Sequence, residues 1–125
     1  MRYLIDTHIF IWWLKDDKRL KSSVKDVLQS KNNQVFVSTV SALEMSIKNS
    51  KRKLILRTTV KRSFEISGFE VISINLNHAI ELGKLPLYHK DPFDRILISQ
   101  ARVENLTFIT GDEKIWKYDL SLLKA

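Results

Sequence analysis

Short β-forming runs alternate with longer stretches of helical periodicity along the whole chain, and this alternation limits the possible folds most strongly. The β-forming runs that predict strands cover residues 2–5, 34–38, 70–74 and 107–110, with a further edge strand at 120–123. Helices are predicted over residues 9–14, 22–30, 39–49, 58–67, 77–83 and 91–104. Strands and helices in alternation form mainly parallel sheets with helices on both faces. We therefore predict a single α/β domain over residues 1–125.

The composition supports one globular domain and excludes several classes of protein. Of the 125 residues, 44% are hydrophobic and 28% are charged, which is typical of a folded domain with a real core. The chain has no cysteine, which excludes disulfides and thiolate metal sites and fits a reducing cytoplasm. The longest apolar run, Ile9–Leu14, is too short to span a membrane. The net charge of +7 favours an anionic partner such as nucleic acid.

The segment from His89 to Arg95 predicts a helix start that carries two carboxylates. Pro92 suits the first helical position, which places Asp91 at the N-cap and Asp94 at the third position. Asp94 then shares the inward face of the helix with the apolar residues Leu97, Ile98 and Ala101. Carboxylates are rarely buried unless they are paired or bind a metal, so Asp94 is a candidate functional residue, whereas capping explains Asp91.

Four acids from distant parts of the chain are expected at one edge of the sheet. Asp6 follows the first strand and Asp112 follows the fourth, while Glu44 lies one turn into the helix after the second strand. Sites in parallel sheets form outside the carboxyl ends of the strands, where Asp94 also starts its helix. Each acid alone has a structural explanation; for Glu44 it is a capping box with Ser41. A chance meeting of all four is much less probable.

A cluster of four acids needs a cation or bound protons. Two like charges about 4 Å apart repel by roughly 4 kcal/mol at an effective dielectric constant near 20. A site made of carboxylate oxygens favours Mg²⁺ or Mn²⁺ over Zn²⁺, and such ions support phosphodiester hydrolysis. The segment Lys48–Arg62 contains seven basic residues and no acid, so it is a candidate track for a phosphate backbone. The residues therefore indicate a metal-dependent nuclease.

Four motifs resemble the PIN-domain ribonucleases, and more narrowly the VapC-type toxins of toxin–antitoxin pairs. In chain order they are Tyr3-Leu4-Ile5-Asp6-Thr7-His8 with Trp12-Trp13, residues 41–48, residues 91–101 and Thr110-Gly111-Asp112. The resemblance implies a homodimeric, Mg²⁺- or Mn²⁺-dependent endoribonuclease that cleaves RNA in the cytoplasm. It also implies an antitoxin partner of the VapB type, in a hetero-oligomer, that inserts a basic side chain into the acidic notch.

The resemblance also assigns roles to individual residues. Asp6, Glu44 and Asp94 are similar to the three core metal-binding acids, and Asp112 to the fourth. Thr110 corresponds to a hydroxyl beside these acids. Asp91 corresponds to a signature residue of the subgroup that lies nearer the rim of the site, where capping remains its other role.

Several basic residues have two interpretations each. His8 could contact the metal or phosphate, but a hydrogen bond at the helix start is the more common role. Lys48 could pair with an acid or bind phosphate, and Arg95 could form a salt bridge or bind the RNA strand. His89 could contact RNA at the rim of the site, whereas His78 is expected to be structural.

Two alternatives to a nuclease remain at this stage. The first is a non-catalytic module that binds RNA or protein with the same fold. The second is a haloacid-dehalogenase-like phosphatase or a phospho-acceptor receiver domain, because both use an aspartate at a strand end. The phosphatase needs a second acid two residues after that aspartate, where this chain has His8.

Overall fold

A five-stranded parallel sheet forms the centre of the protein, whose computed structural model describes residues 1–125. The sheet order is β3-β2-β1-β4-β5, and every neighbouring pair is parallel. The strands are β1 (Arg2–Ile5), β2 (Gln34–Ser38), β3 (Glu70–Ile72), β4 (Thr107–Thr110) and β5 (Leu122–Lys124). The predicted α/β class with a parallel sheet is confirmed. The edge strand exists but begins two residues and ends one residue later than predicted, and β3 ends at Ile72, two residues before the predicted end.

Six helices connect the strands, as the helical periodicity predicted. They are α1 (Thr7–Lys15), α2 (Ser22–Gln29), α3 (Thr39–Ser50), α4 (Val60–Ser67), α5 (Leu76–Leu82) and α6 (Pro92–Glu104), with a 3₁₀ turn at Ile115–Lys117. Gly68 ends α4 with a φ of 78°, a left-handed conformation that glycine adopts without strain. None of the helices combines the length and the hydropathy that crossing a membrane requires.

Helix starts differ from the predicted ranges by up to two residues, since α1 begins at Thr7, α4 at Val60 and α5 at Leu76. The caps that the sequence predicts, Ser22 for α2 and Asn77 for α5, also differ from the observed ones. The side chain of Asn75 caps α5, not that of Asn77, because Asn75 accepts a hydrogen bond from the His78 backbone N–H. The His78 ring in turn accepts a hydrogen bond from the Asn75 backbone N–H, which completes a capping box and gives this buried histidine the expected structural role. Ser22 is the first residue of α2, not its cap, and Lys21 stands before it without a capping side chain.

The sheet separates two apolar cores because successive side chains of a strand point to opposite faces. On β1, Tyr3 and Ile5 pack into one core, whereas Leu4 packs into the other. The first core also takes its side chains from α1 and α2, including the fully buried Phe10. The second takes the inward face of α6, including Leu97. With both faces covered, the carboxyl ends of β1 and β4 remain the place where polar side chains collect.

Candidate active site

Asp6 and Asp112 lie at the carboxyl ends of the two central strands. Asp6 directly follows β1 and caps α1, and its Oδ1 atom accepts a hydrogen bond of 2.8 Å from the Ile9 backbone N–H. Asp112 follows β4, which pairs with β1 in the parallel register that aligns Ile5 with Ile109. Asp6 is buried and Asp112 is partly exposed. The sheet therefore brings the first and the fourth predicted acids to the same edge.

Asp94 reaches the same place from the start of α6. The Asp91 carboxylate caps this helix through hydrogen bonds of 2.8 Å from the Phe93 N–H and 3.1 Å from the Asp94 N–H. Pro92 occupies the first turn, as predicted, and Asp94 is only 9% exposed. Asp91 thus has the capping role that the sequence offered, and it directs Asp94 inward.

Glu44 approaches from α3, and its local contacts differ from the predicted capping box. Ser38 caps α3 by accepting a hydrogen bond from the Val40 N–H, so Ser41 lies inside the helix. The Ser41 hydroxyl instead forms a buried hydrogen bond of 2.9 Å with Thr7. The capping-box explanation of Glu44 is therefore wrong. Glu44 is 3% exposed, and its Oε1 atom is buried without a hydrogen-bond partner.

The charges of these acids act on one another. Burial is the largest cause that raises the pKa of Asp94, and with the negative charges of Asp91, Asp6 and Glu44 it brings this pKa to about 7, although His89 opposes the shift. Burial also raises the pKa of Asp6, with a smaller contribution from the charge of Asp112. Hydrogen bonds from Thr110 and from the Ile9 N–H lower the pKa of Asp6 but do not cancel the effect of burial. Both shifts therefore arise mainly from poor hydration, with a smaller contribution from neighbouring carboxylates.

His89 lies inside this cluster and not at its rim. Its Nε2 atom is 2.9 Å from Oδ2 of Asp94 and 2.9 Å from Oδ2 of Asp112. The three side chains form a compact group of one nitrogen and two carboxylates within bonding reach of a single ion. The sequence showed His89 as a possible RNA contact, but its place between two acids depends on the path of an irregular segment that no periodicity predicts.

The residues predicted to support the site lie around the acids in different roles. Thr110 is buried, and its hydroxyl accepts a hydrogen bond of 3.1 Å from the Asp112 N–H. Lys48 Nζ lies 2.6 Å from Glu44 Oε2, so Lys48 pairs with an acid. The Arg95 guanidinium donates to the carbonyl oxygens of Pro86 and His89, which anchors the segment before α6. His8 is exposed, and its side chain does not form the hydrogen bond at the helix start that is the more common role of such a histidine.

His8 instead borders an open cleft beside the acids. The cleft has a volume of about 250 Å³ and is lined by Asp6, His8, Ile9, Trp12, Gly111 and Asp112. The partly exposed Asp112 is therefore accessible from solvent on this side, and the buried Asp6 lies in the wall of the cleft. The side chains of Trp12 and His8 thus form part of the cleft wall next to the two carboxylates.

The donor groups fit a hard divalent cation. Asp6, Glu44, Asp94 and Asp112 offer carboxylate oxygens, which are the ligands that Mg²⁺ and Mn²⁺ prefer. The buried and unpartnered Oε1 atom of Glu44 is an acceptor that lacks a positive partner. The pKa of Asp94 is raised by burial first and by the negative charges of neighbouring acids second, and a bound cation would oppose both effects. These observations fit a metal site at the carboxylate cluster.

The fold and the site define a small α/β protein with a carboxylate cluster at the carboxyl edge of a parallel sheet. The chain belongs to the PIN domain family, whose sequence pattern matches residues 3–120. This membership confirms the family predicted from the motifs and excludes the dehalogenase-like and receiver alternatives. Among curated proteins, none matches the chain in sequence.

Solved structures confirm the fold over almost the entire chain. A chain of VapBC2 from Rickettsia felis, solved bound to a DNA fragment from the promoter, superimposes with a TM-score of 0.76 at 20% identity, covering 99% of this chain and 98% of that one. VapBC-1 from nontypeable Haemophilus influenzae gives a TM-score of 0.69 at 20% identity, with coverage of 99% and 98%. A toxin–antitoxin complex from Klebsiella pneumoniae gives 0.69 at 22% identity, with coverage of 98% and 96%.

Proposed function

We propose that this protein is the toxin of a toxin–antitoxin pair and that it cleaves RNA with the help of Mg²⁺ or Mn²⁺. The observation that carries the proposal is the convergence on one sheet edge of three buried acids, Asp6, Glu44 and Asp94, and the partly exposed Asp112, with Asp94 held at a pKa of about 7. PIN family membership supports nuclease chemistry. The similarity to structures of VapBC and other toxin–antitoxin complexes supports the toxin role.

In this proposal the catalytic acids are Asp6, Glu44, Asp94 and Asp112, which hold the divalent ion. When bound, such an ion lowers the pKa of a water molecule and offsets charge on the scissile phosphate. The protein itself directs the carboxylates inward through the helix caps at Asp6 and Asp91, which keep the acids fixed before any ligand arrives. The cleft beside Asp6 and Asp112 is the entry for the RNA chain.

The positive surface of the protein supports a nucleic-acid substrate. The net charge is +7, and the segment after Glu44 carries basic residues without an intervening acid. Lys51, Arg52 and Lys53 are all exposed at the end of α3. Since the carboxylate cluster alone would repel RNA, these cations supply the long-range attraction that brings the phosphate backbone to the site.

Exposed apolar side chains support protein partners. Ile55 is 78% exposed, Leu76 is 74% exposed and Leu87 is 71% exposed, and burial of these aliphatic side chains against a partner would stabilise a complex. We propose that a VapB-type antitoxin and a second copy of this chain cover such surfaces in a hetero-oligomer. The cytoplasm, where RNA and a neighbouring antitoxin gene product are both made, is the proposed place of action.

An RNA cleavage assay tests the proposed activity. Purified wild-type protein is incubated with single-stranded and hairpin RNA in Mg²⁺ or Mn²⁺, with and without chelator, beside Asp6→Asn and Asp94→Asn. The exposed Asp26 on α2 provides a matched control, Asp26→Asn, which removes one carboxylate far from the cluster in sequence. We expect metal-dependent cleavage by wild type and Asp26→Asn. The two site variants should lose cleavage activity by about 100-fold or more, because residues that only support metal ligands already contribute up to about 100-fold.

Two results would contradict the proposal. Equal cleavage by all four proteins, or cleavage that persists in chelator, would assign the activity to a contaminating nuclease or to another site. Salt-sensitive RNA binding without cleavage in any metal would support the non-catalytic RNA-binding alternative. Circular dichroism of each variant shows whether a loss of activity reflects a loss of fold.

A further inference from the structure

We propose that His89 is a positioning residue that competes with the divalent ion for the Asp94–Asp112 edge of the site. This inference rests on the proposed function, because it concerns the same metal site. The His89 imidazole would hold the two carboxylates together while no ion is bound, and it would leave them when the ion binds. Metal occupancy would then depend on a side chain that is not one of the predicted metal ligands.

The geometry of the ring supports a hydrogen-bond donor at this position. Nδ1 of His89 accepts a hydrogen bond of 3.4 Å from the Asp91 backbone N–H, so in the neutral ring the proton lies on Nε2. Nε2 is 2.9 Å from Oδ2 of both Asp94 and Asp112. A single N–H group therefore lies between two carboxylates. Its partial positive charge takes the place of the positive charge that a bound ion would bring.

The backbone around His89 is fixed, so the side chain is the part that can move. The Tyr118 hydroxyl accepts hydrogen bonds of 3.1 Å from the Tyr88 N–H and 3.0 Å from the His89 N–H. Arg95 Nη1 donates 2.9 Å to the Pro86 carbonyl oxygen and also contacts the His89 carbonyl oxygen. These anchors come from α6 and from the segment after the 3₁₀ turn. They hold the backbone that carries the ring in place beside the cluster.

Competition follows because the ring and an ion need the same oxygen atoms. The other Asp112 oxygen, Oδ1, already accepts a hydrogen bond of 3.0 Å from the Lys114 N–H. Both Asp112 oxygens are thus engaged, one of them by His89. An ion gains Oδ2 of Asp112 and of Asp94 as full ligands only after the imidazole N–H turns away. Removal of the ring would therefore increase affinity for the ion, whereas removal of a metal ligand would decrease it.

Calorimetric titration with Mn²⁺ tests the direction of the effect. Wild type, His89→Ala and His89→Gln are compared, since the glutamine amide can still donate near the position of Nε2. We expect His89→Ala to bind Mn²⁺ about tenfold more tightly than wild type, the size expected when a hydrogen bond to charged groups no longer has to be broken. His89→Gln should lie between the two. Unchanged or weaker binding by His89→Ala would overturn the inference.

A second measurement on the wild-type protein does not depend on how the variants fold. Nitrogen-15 NMR of the imidazole reports the hydrogen bond of Nε2–H directly, and Mg²⁺ is diamagnetic. We expect the Nε2 resonance to lose its hydrogen-bonded shift as Mg²⁺ is added. A ring that keeps this hydrogen bond in saturating Mg²⁺, or that bonds to the ion, would overturn the inference.

The two failures can be distinguished. If neither wild type nor any variant binds Mn²⁺ at millimolar concentration, the proposed metal-dependent function fails and the inference falls with it. If wild type binds Mn²⁺ and cleaves RNA but His89→Ala does not bind the ion more tightly, only the role of His89 is rejected.

Discussion

Lys48 Nζ lies 2.6 Å from Glu44 Oε2, one helical turn further along α3, and leaves the other Glu44 oxygen buried without a partner. The side chain of Glu44 is 5% exposed, while that of Lys48 is 37% exposed. The lysine therefore pairs with one oxygen atom of a buried carboxylate from the solvent side. The charge of Glu44 also raises the pKa of Asp94, so the pair lies between the basic surface and the carboxylate cluster.

This pair predicts that Lys48→Ala destabilises the metal-free protein. The substitution leaves the Glu44 charge buried and unpaired, but the exposure of Lys48 reduces the cost to about 1–2 kcal/mol, below that of breaking a fully buried pair. Urea unfolding in chelator measures the change. The double variant Glu44→Gln/Lys48→Ala serves as the control and should lose less stability than Lys48→Ala alone. Equal losses in the two variants would show that the unpaired charge is not the cause.

A second prediction concerns pH, through Asp94. Its pKa is about 7 in the folded protein against an ordinary value of 3.8, so between these values the folded state binds more protons than the unfolded state. Stability of the metal-free protein should therefore be greatest at low pH in this window and fall as pH rises from about 4 to 7, by about 2–4 kcal/mol in total.

Asp94→Asn tests this assignment, because an amide does not titrate. Urea unfolding in chelator at several pH values should show a much flatter profile for Asp94→Asn than for wild type. Added Mg²⁺ should restore the stability of wild type at neutral pH, since it binds the folded state only. The same decline with pH in both proteins would show that another group titrates.

The exposed basic residues at the end of α3 predict how RNA binding depends on salt. Neutralising Lys51, Arg52 and Lys53 together with glutamine should weaken RNA binding and lower the slope of log affinity against log salt by about 2, since each phosphate contact to a single strand contributes roughly 0.7. The control replaces three other exposed lysines, Lys18, Lys21 and Lys31. Binding is measured by fluorescence anisotropy with a catalytically inactive variant. Equal slopes for both triple variants would place the RNA elsewhere.

Local patterns in the sequence predicted most of the fold because the strands are short, apolar and central. β1, β2 and β4 occupy the predicted residues, and α6 begins at the predicted Pro92. The errors lie at element ends, where two residues compete for one role. Asn75 and Asn77 are both good caps, but only the Asn75 backbone N–H donates a reciprocal hydrogen bond to the His78 ring.

The carboxylate cluster was accessible to prediction because topology places the ends of parallel strands together. Asp6 and Asp112 follow adjacent strands, and Asp94 lies on a predictable helix face. The place of His89 was not accessible, because its segment has no regular structure. Contacts with Tyr118 and Arg95 fix that segment, and Tyr118 is 29 residues away from His89 in the chain. Long-range contacts of single side chains leave no periodic signal.

Crystals of the protein soaked in Mn²⁺ test the central claim most directly, because anomalous scattering locates the ion without reference to activity. We predict one strong anomalous peak between α1, α3 and α6, with oxygens of Asp94 and of at least two among Asp6, Glu44 and Asp112 about 2.2 Å away, a distance typical of hard divalent ions. A fully occupied ion bound only at exposed groups such as His8, or no ion at the cluster at saturating Mn²⁺, would contradict the account.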